Sequence, residues 1–255
     1  MGPQLEQFVT QATFLVVRIG GMVSIAPFFG SRAIPMRVKG ALTMLLSAFF
    51  YPLYAPPGAA AGASGWLRIS LGEFIVGLLM GLALHMVFDA VQLAGQILGL
   101  QMGFSLANVI DPNTEVDTPV VSNFHQIFAL LIFLQLNVHH WMLRGLAKSF
   151  EYIPPGSVSA MPAATEELFR LASGIWSGAV QVAAPVLLAT VLTDVALGFL
   201  GKISPQFPVL FVGISIKSAL GFAVLMGSVV FWPALLESHF QKAMLATERL
   251  LHLAR

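Results

Sequence analysis

Apolar residues dominate a stretch from Trp66 to Asn108 that contains no proline and is too long for one bilayer crossing. As a single helix it would extend roughly 64 Å at about 1.5 Å per residue, against a hydrocarbon core about 30 Å thick. Either the run breaks into two helices, or much of it is buried in protein. Within it Glu73, Gly77, Gly81, His85, Asp89, Gln92, Gln96, Gly99 and Gly103 recur at steps of four or three. That spacing collects them on one broad helix face, while Phe74, Leu78, Leu82 and Leu93 spread around the rest. The pattern predicts an apolar helix with a packing seam made by Gly77, Gly81, Gln92, Gln96, Gly99 and Gly103.

The other apolar runs are shorter. One spans about Phe8 to Phe29, interrupted by Arg18, and another spans Ala41 to Tyr54. A basic connector with Arg32, Arg37 and Lys39 around Pro35 joins them, so the two read as a helical hairpin. Pro56, Pro57 and the stretch Gly58 to Gly65 read as a linker. After the long run, Asp111 to Pro119 reads as a turn-rich acidic loop, since a residue before proline is biased out of helix. Phe124–Trp141 reads as one plain hydrophobic helix. Leu168–Leu200 follows as a long run with a kink expected at Pro185. Lys202–Pro208 is a connector, Phe211–Trp232 the last strongly apolar helix, and the chain is amphipathic from Pro233 onward. Strand signals are negligible, and the class is all-α: a multi-helix membrane-associated protein with a boundary near Met161–Thr165.

Composition sharpens this picture. The chain is 57% hydrophobic and 10% charged, against about 25% charged in an ordinary soluble domain. So few charges cannot make a surface that is mainly water-facing. The net charge of +1 provides no basic face for nucleic acid. Cysteine is absent, which removes disulfides, thiolate metal sites and a cysteine nucleophile. The start of the chain does not read as a cleavable signal, because Glu6 precedes the first apolar run and Arg18 lies inside it. The positive-inside rule puts the Arg32–Lys39 connector on the cytoplasmic side. Simple alternation then puts the acidic loop on that same side and the Arg144, Lys148 and Arg170 stretch opposite. That poor fit means the helix count is wrong or some helices do not cross a bilayer.

Ionisable groups inside apolar runs are costly and face protein or water. Arg18, Glu73, His85, Asp89, Asp194 and Lys217 are of this kind. His85 and Asp89, one turn apart, could relay protons. The plainer reading, that Arg18, Glu73, Asp89, Asp194 and Lys217 pair between helices or subunits, is preferred. His139 and His140 are consecutive and point to different faces, a poor metal pair. Gly77-xxx-Gly81, Gly95-xxx-Gly99-xxx-Gly103 and Gly174-xxx-Gly178 allow close helix approach. No nucleophile elbow, phosphate loop or HExxH motif is present, and nothing in the chain reads as an enzyme.

Local strings along nearly the whole chain resemble the FliR family of flagellar export-gate proteins, whose injectisome relatives are called SctT. They are Pro27–Lys39, Leu46-Ser47 to Tyr51-Pro52, Glu73 with Gly77 and Gly81, and Ala94-Gly95 leading to Gly99–Gly103. Further on come Asp111-Pro112 before Pro119-Val120, Ser149-Phe150 with Pro154–Gly156, and Ala184-Pro185 before Asp194 and Leu197-Gly198. Ser204–Gln206 and Phe211 with Gly213 and Lys217 complete the series. One departure is Phe207-Pro208, where the family pattern has an asparagine.

The resemblance implies one subunit of an assembly with FliP-like and FliQ-like subunits and an FlhB-like subunit, in the bacterial inner membrane at the flagellar basal body. Unfolded flagellar subunits pass through that assembly, whose helices would sit largely above the membrane plane with membrane lipid as a further partner, and no cofactor is implied. Residues 1–164 would be FliP-like and 165–255 a FliQ-like hairpin with a polar C-terminal helix. The loop at about 104–122 would plug the closed pore, with Phe104, Leu106, Val109, Ile110 and Val116 as its apolar elements. An injectisome subunit is the near alternative. A proton-coupled solute transporter using His85, Asp89 and Asp194 is the alternative from another class, though inverted halves are not visible.

Overall fold

The computed structural model describes residues 3–31, 34–54, 63–104, 120–158, 164–206 and 208–253. These residues are almost wholly helical, with no strand among them. In chain order they form α1 (Pro3–Ile25), α2 (Met36–Tyr54), α3 (Ala63–Gln101), α4 (Val120–Gln135), α5 (Val138–Tyr152), α6 (Ala164–Ile203), α7 (Val209–Ser228) and α8 (Trp232–Leu253). A single 3-10 turn, Val229–Phe231, joins α7 to α8.

The long apolar run forms one unbroken helix. α3 has 39 residues, about 58 Å at 1.5 Å each, and 56% of its apolar stretch is buried by the rest of the chain. Its excess length is accommodated by protein cover and not by a break. It begins at Ala63, so the end of the expected linker is helical, and it stops at Gln101, short of Asn108. The expected single helix Phe124–Trp141 is instead two, α4 and α5, bent by 65°. The bend falls at Asn137, whose φ of 54° is left-handed, a conformation asparagine tolerates better than most residues. Pro185 lies within α6, which continues on both sides of it.

Four described helices are long and apolar enough to cross a membrane, or five if the bent α4–α5 pair is one span. Only 22% of the apolar stretch of α6 and 28% of that beginning in α7 is buried. Leu188, Leu192 and Phe199 of α6 and Phe211 and Met226 of α7 are exposed. Such an apolar surface needs lipid or protein cover.

The chain divides into two compact units. The first combines Met1–Val87, Phe133–Ser173 and Phe240–Arg255. Its core centres on α1, where Leu15, Ile19 and Met22, at helical spacing, are fully buried. α2 packs along α1 through Phe8 and Tyr51, edge to face at 4.9 Å, and Tyr51 meets Gln11 at 3.0 Å. Phe150 of α5 packs near the α2 rings of Phe50, at 5.8 Å, and Tyr54, at 5.5 Å. The Tyr54 hydroxyl donates to Glu151 at 3.2 Å. Burial, reinforced by that carboxylate, raises its phenol above the ordinary value.

The second unit combines Phe88–Ile132 and Gly174–His239. Here α4 lies against the C-terminal part of α3, with Ser122 Oγ donating to the Gln92 carbonyl at 3.1 Å. His125 is buried, held by the Val121 carbonyl at 2.7 Å and packed on the Trp232 ring at 4.7 Å.

Candidate functional site

The most concentrated chemistry sits between α1, α3 and α5 in the first unit. Arg18 and Glu73 have no exposed side-chain surface, and Arg18 Nε donates to Glu73 Oε2 at 2.5 Å. Arg18 Nη1 donates to the Ser149 carbonyl at 2.9 Å, and its guanidinium lies 4.7 Å from the Phe150 ring centre. Glu73 Oε1 accepts the Gly156 N–H at 2.8 Å. Residues from three distant parts of the sequence, α1, α3 and the stretch from Ser149 to Gly156, therefore meet at one charge pair. A buried ion pair is tolerable only when its remaining polar atoms are also satisfied, and these bonds do most of that. The node can fix helix register.

The seam changes partner along α3. A Cβ at Gly77 would collide with the Arg18 carbonyl, and one at Gly81 would lie 2.7 Å from the Met22 carbonyl. From the other side, a Cβ at Gly21 would lie 2.6 Å from the Phe74 carbonyl. α1 and α3 thus touch backbone to backbone, which only glycine permits. Further along, Gly95 is pressed against the Ser122 backbone of α4. At Gly99 a Cβ would meet nothing nearer than the Val121 side chain at 3.8 Å, so that position has room within this chain. Gln92 is half-buried, while Gln96 is exposed.

The end of α3 forms a second grouping, in the second unit. Lys217 Nζ pairs with Asp194 at 2.9 Å, and Gln101 donates to the same carboxylate at 3.1 Å. Ser218 Oγ donates to the Met102 carbonyl at 2.7 Å. Gly103, with φ of +86°, turns the chain out of helix beside Ile214. Phe104 is 40% exposed and packs edge-on to Phe222 at 5.6 Å. Leu106, Val109, Ile110 and Val116 lie outside the described residues.

The remaining candidates hold no such geometry. His85 and Asp89 are half-buried and each engaged in an interaction. His139 and His140, consecutive near the start of α5, bring their rings to 4.2 Å. No group of three or more possible metal ligands exists among the described residues. Sequence reasoning did not foresee Ser149, Gly156 and Phe150 as partners of the buried pair. Only the fold connects residues so far apart in the chain.

An all-α membrane protein results, with a 39-residue helix whose apolar stretch is 56% buried by its own chain and apolar faces exposed on α6 and α7. A family model described as bacterial export proteins, family 1, matches residues 9–243, and the chain belongs to that family, whose members include FliR. It is 33% identical over 222 residues to the flagellar biosynthetic protein FliR of Bacillus subtilis (strain 168), covering 84% of this chain and 85% of the relative. The FliR protein of Pectobacterium carotovorum subsp. carotovorum is 34% identical over 227 residues, covering 87% and 85%. That of Escherichia coli (strain K12) is 28% identical over 210 residues, covering 82% and 80%.

Proposed function

We propose that this chain is a core subunit of the flagellar type III export gate in the bacterial inner membrane. It assembles at the basal body with FliP-like and FliQ-like subunits and an FlhB-like subunit, and forms part of the pore for unfolded flagellar proteins. The observation that carries this reading is the family match, which extends over residues 9–243 and so reaches every described helix. The exposed aliphatic faces of α6 and α7 support it, since a subunit with such faces needs neighbours or lipid. In this reading residues 1–164 are the FliP-like part and 165–255 the FliQ-like part.

The segment at about 104–122 is the plug. Its apolar side chains, Phe104, Leu106, Val109, Ile110 and Val116, would dry a constriction and stop ions while the pore is closed. Gly103, left-handed at the end of α3, supports a change of chain direction where that segment begins.

Co-expression with tagged FliP-like and FliQ-like subunits tests the assembly. The chain should co-purify with both, and alone in detergent it should aggregate. A stable, monodisperse lone chain that binds neither subunit would overturn the reading.

A further inference from the structure

α5 and the part of α8 after His239 belong to the first unit and enclose an open groove of about 440 Å³. Trp141, Arg144 and Lys148 line one side of it, at the three- and four-residue steps of a single α5 face. Gly145 keeps the floor low, since a Cβ there would lie 3.0 Å from the Met244 methyl. The α8 side presents Met244 and Leu245, the latter 53% exposed. The polar groups of the groove do not balance. Lys148 is already paired with Glu248 at 2.9 Å. The exposed Arg144 guanidinium and the Trp141 indole N–H, one turn apart, have no partner among the described residues. Two open donors beside an aliphatic surface call for an occupant that brings both an acceptor and apolar side chains. Trp, Arg and Met are also the residues enriched where proteins meet, whereas Lys and Glu are depleted there and here neutralise each other.

We propose that this groove seats a helix of another protein subunit, one that presents a single Asp or Glu beside aliphatic side chains. The carboxylate meets the Arg144 guanidinium, whose planar fork suits it. An aliphatic side chain one turn away descends over Gly145, between Trp141 and Met244. Charge complementarity argues for the acid, and the Met244 and Leu245 surface argues for its apolar neighbours. The occupant is helical because an extended segment would need backbone partners, and those of α5 and α8 are taken up within their own helices. A helix satisfies its own backbone and docks through side chains alone. The proposal rests on the reading of this chain as one subunit of an export assembly, and is independent of the plug.

The test uses the full chain assembled in its own membrane, with photoreactive benzoylphenylalanine replacing Leu245 in one variant and Gln241 in another, both exposed in the groove. After illumination, adducts are identified by mass spectrometry. The linked peptide should come from a partner subunit's helix and carry an Asp or Glu within one turn of the linked residue. Arg144→Glu should lower the adduct yield by about tenfold or more, because like charges then face each other. Reversing the partner's acid to Arg should do the same, and the two reversals together should restore the yield. Arg68→Glu, an exposed position on α3, should change nothing. Because Arg144 is exposed, its reversal spares the core, and the abundance of the complex is measured alongside. Silence at both positions, adducts only to lipid, a linked segment without a carboxylate, or paired reversals that fail to restore the yield would each overturn the proposal. An adduct to such a helix in an assembly without FliP-like and FliQ-like subunits would keep the groove assignment and reject the gate reading. Those subunits co-purifying around a silent groove would do the reverse.

Discussion

Arg18 on α1 and Glu73 on α3 are joined by a 2.5 Å ion pair with no exposed side-chain surface on either partner. Because Glu73 also accepts the Gly156 N–H and Arg18 also donates to Ser149, each is held by more than the other. Glu73→Gln keeps an acceptor for Gly156 but leaves the guanidinium uncompensated. That should cost about 3–5 kcal/mol, whereas adding Arg18→Met should recover much of it, since the stranded charge is the main penalty. Thermal aggregation of the detergent-solubilised complex measures both. If the double variant is no more stable than Glu73→Gln, the penalty lies in lost packing and not in charge.

Backbone contact between α1 and α3 makes a sharper prediction about the seam. Gly77→Ala places a methyl group against the Arg18 carbonyl, and no side-chain rotation can relieve it. The helices must separate, at a cost at or above the usual 1–3 kcal/mol (approximate) of overpacking. Gly99→Ala meets only the Val121 side chain at 3.8 Å and should be nearly neutral for the chain itself. Abundance of the folded protein in membranes compares them. Loss at Gly99 equal to that at Gly77 would mean that another subunit packs there.

How far the sequence reveals this arrangement depends on the kind of information each feature needs. The α3 seam is visible because helical periodicity is local, and its small residues recur at three and four. That Gly95, and not Gly99, is the tight contact was not visible, because the choice depends on where Ser122 of α4 lands. Arg18 and Glu73 stand out as charges in apolar runs, yet their pairing joins residues 55 apart in sequence. The α4–α5 bend escaped because Leu134, Leu136 and Val138 continue the apolar run through it. The polar run Asn137, His139 and His140 was the available signal. The apolar segment expected as a plug lies almost wholly outside the described residues, so its reading still rests on family resemblance.

Asp194 and Lys217 make the contrasting case of an ion pair near the surface. The Asp194 side chain is 47% exposed and that of Lys217 18% in the lone chain, and where water reaches such a pair it is screened. Lys217→Ala should therefore destabilise the isolated chain by about 1 kcal/mol or less. The same thermal-aggregation assay, run on the chain and on the assembled complex, checks this. A loss in the complex as large as that of Glu73→Gln would show that assembly buries the pair.

If residues 104–122 close the pore, shortening that segment should leave a complex that assembles and leaks. Deleting Asn113–Asp117 spares α3 and α4, the helices on either side, so folding should survive. Small ions would then cross the membrane, and growth would become sensitive to the ionic composition of the medium. Val109→Ser with Ile110→Ser should leak as well, because hydroxyl groups keep water in a constriction that apolar side chains empty. His85→Ala and Asp89→Ala should not leak if those residues serve packing; the transporter alternative expects lost proton coupling there instead. Conductance of the reconstituted complex separates these outcomes. A pore that stays tight after both changes to the segment would reject the plug, even if the complex with FliP-like and FliQ-like subunits forms normally.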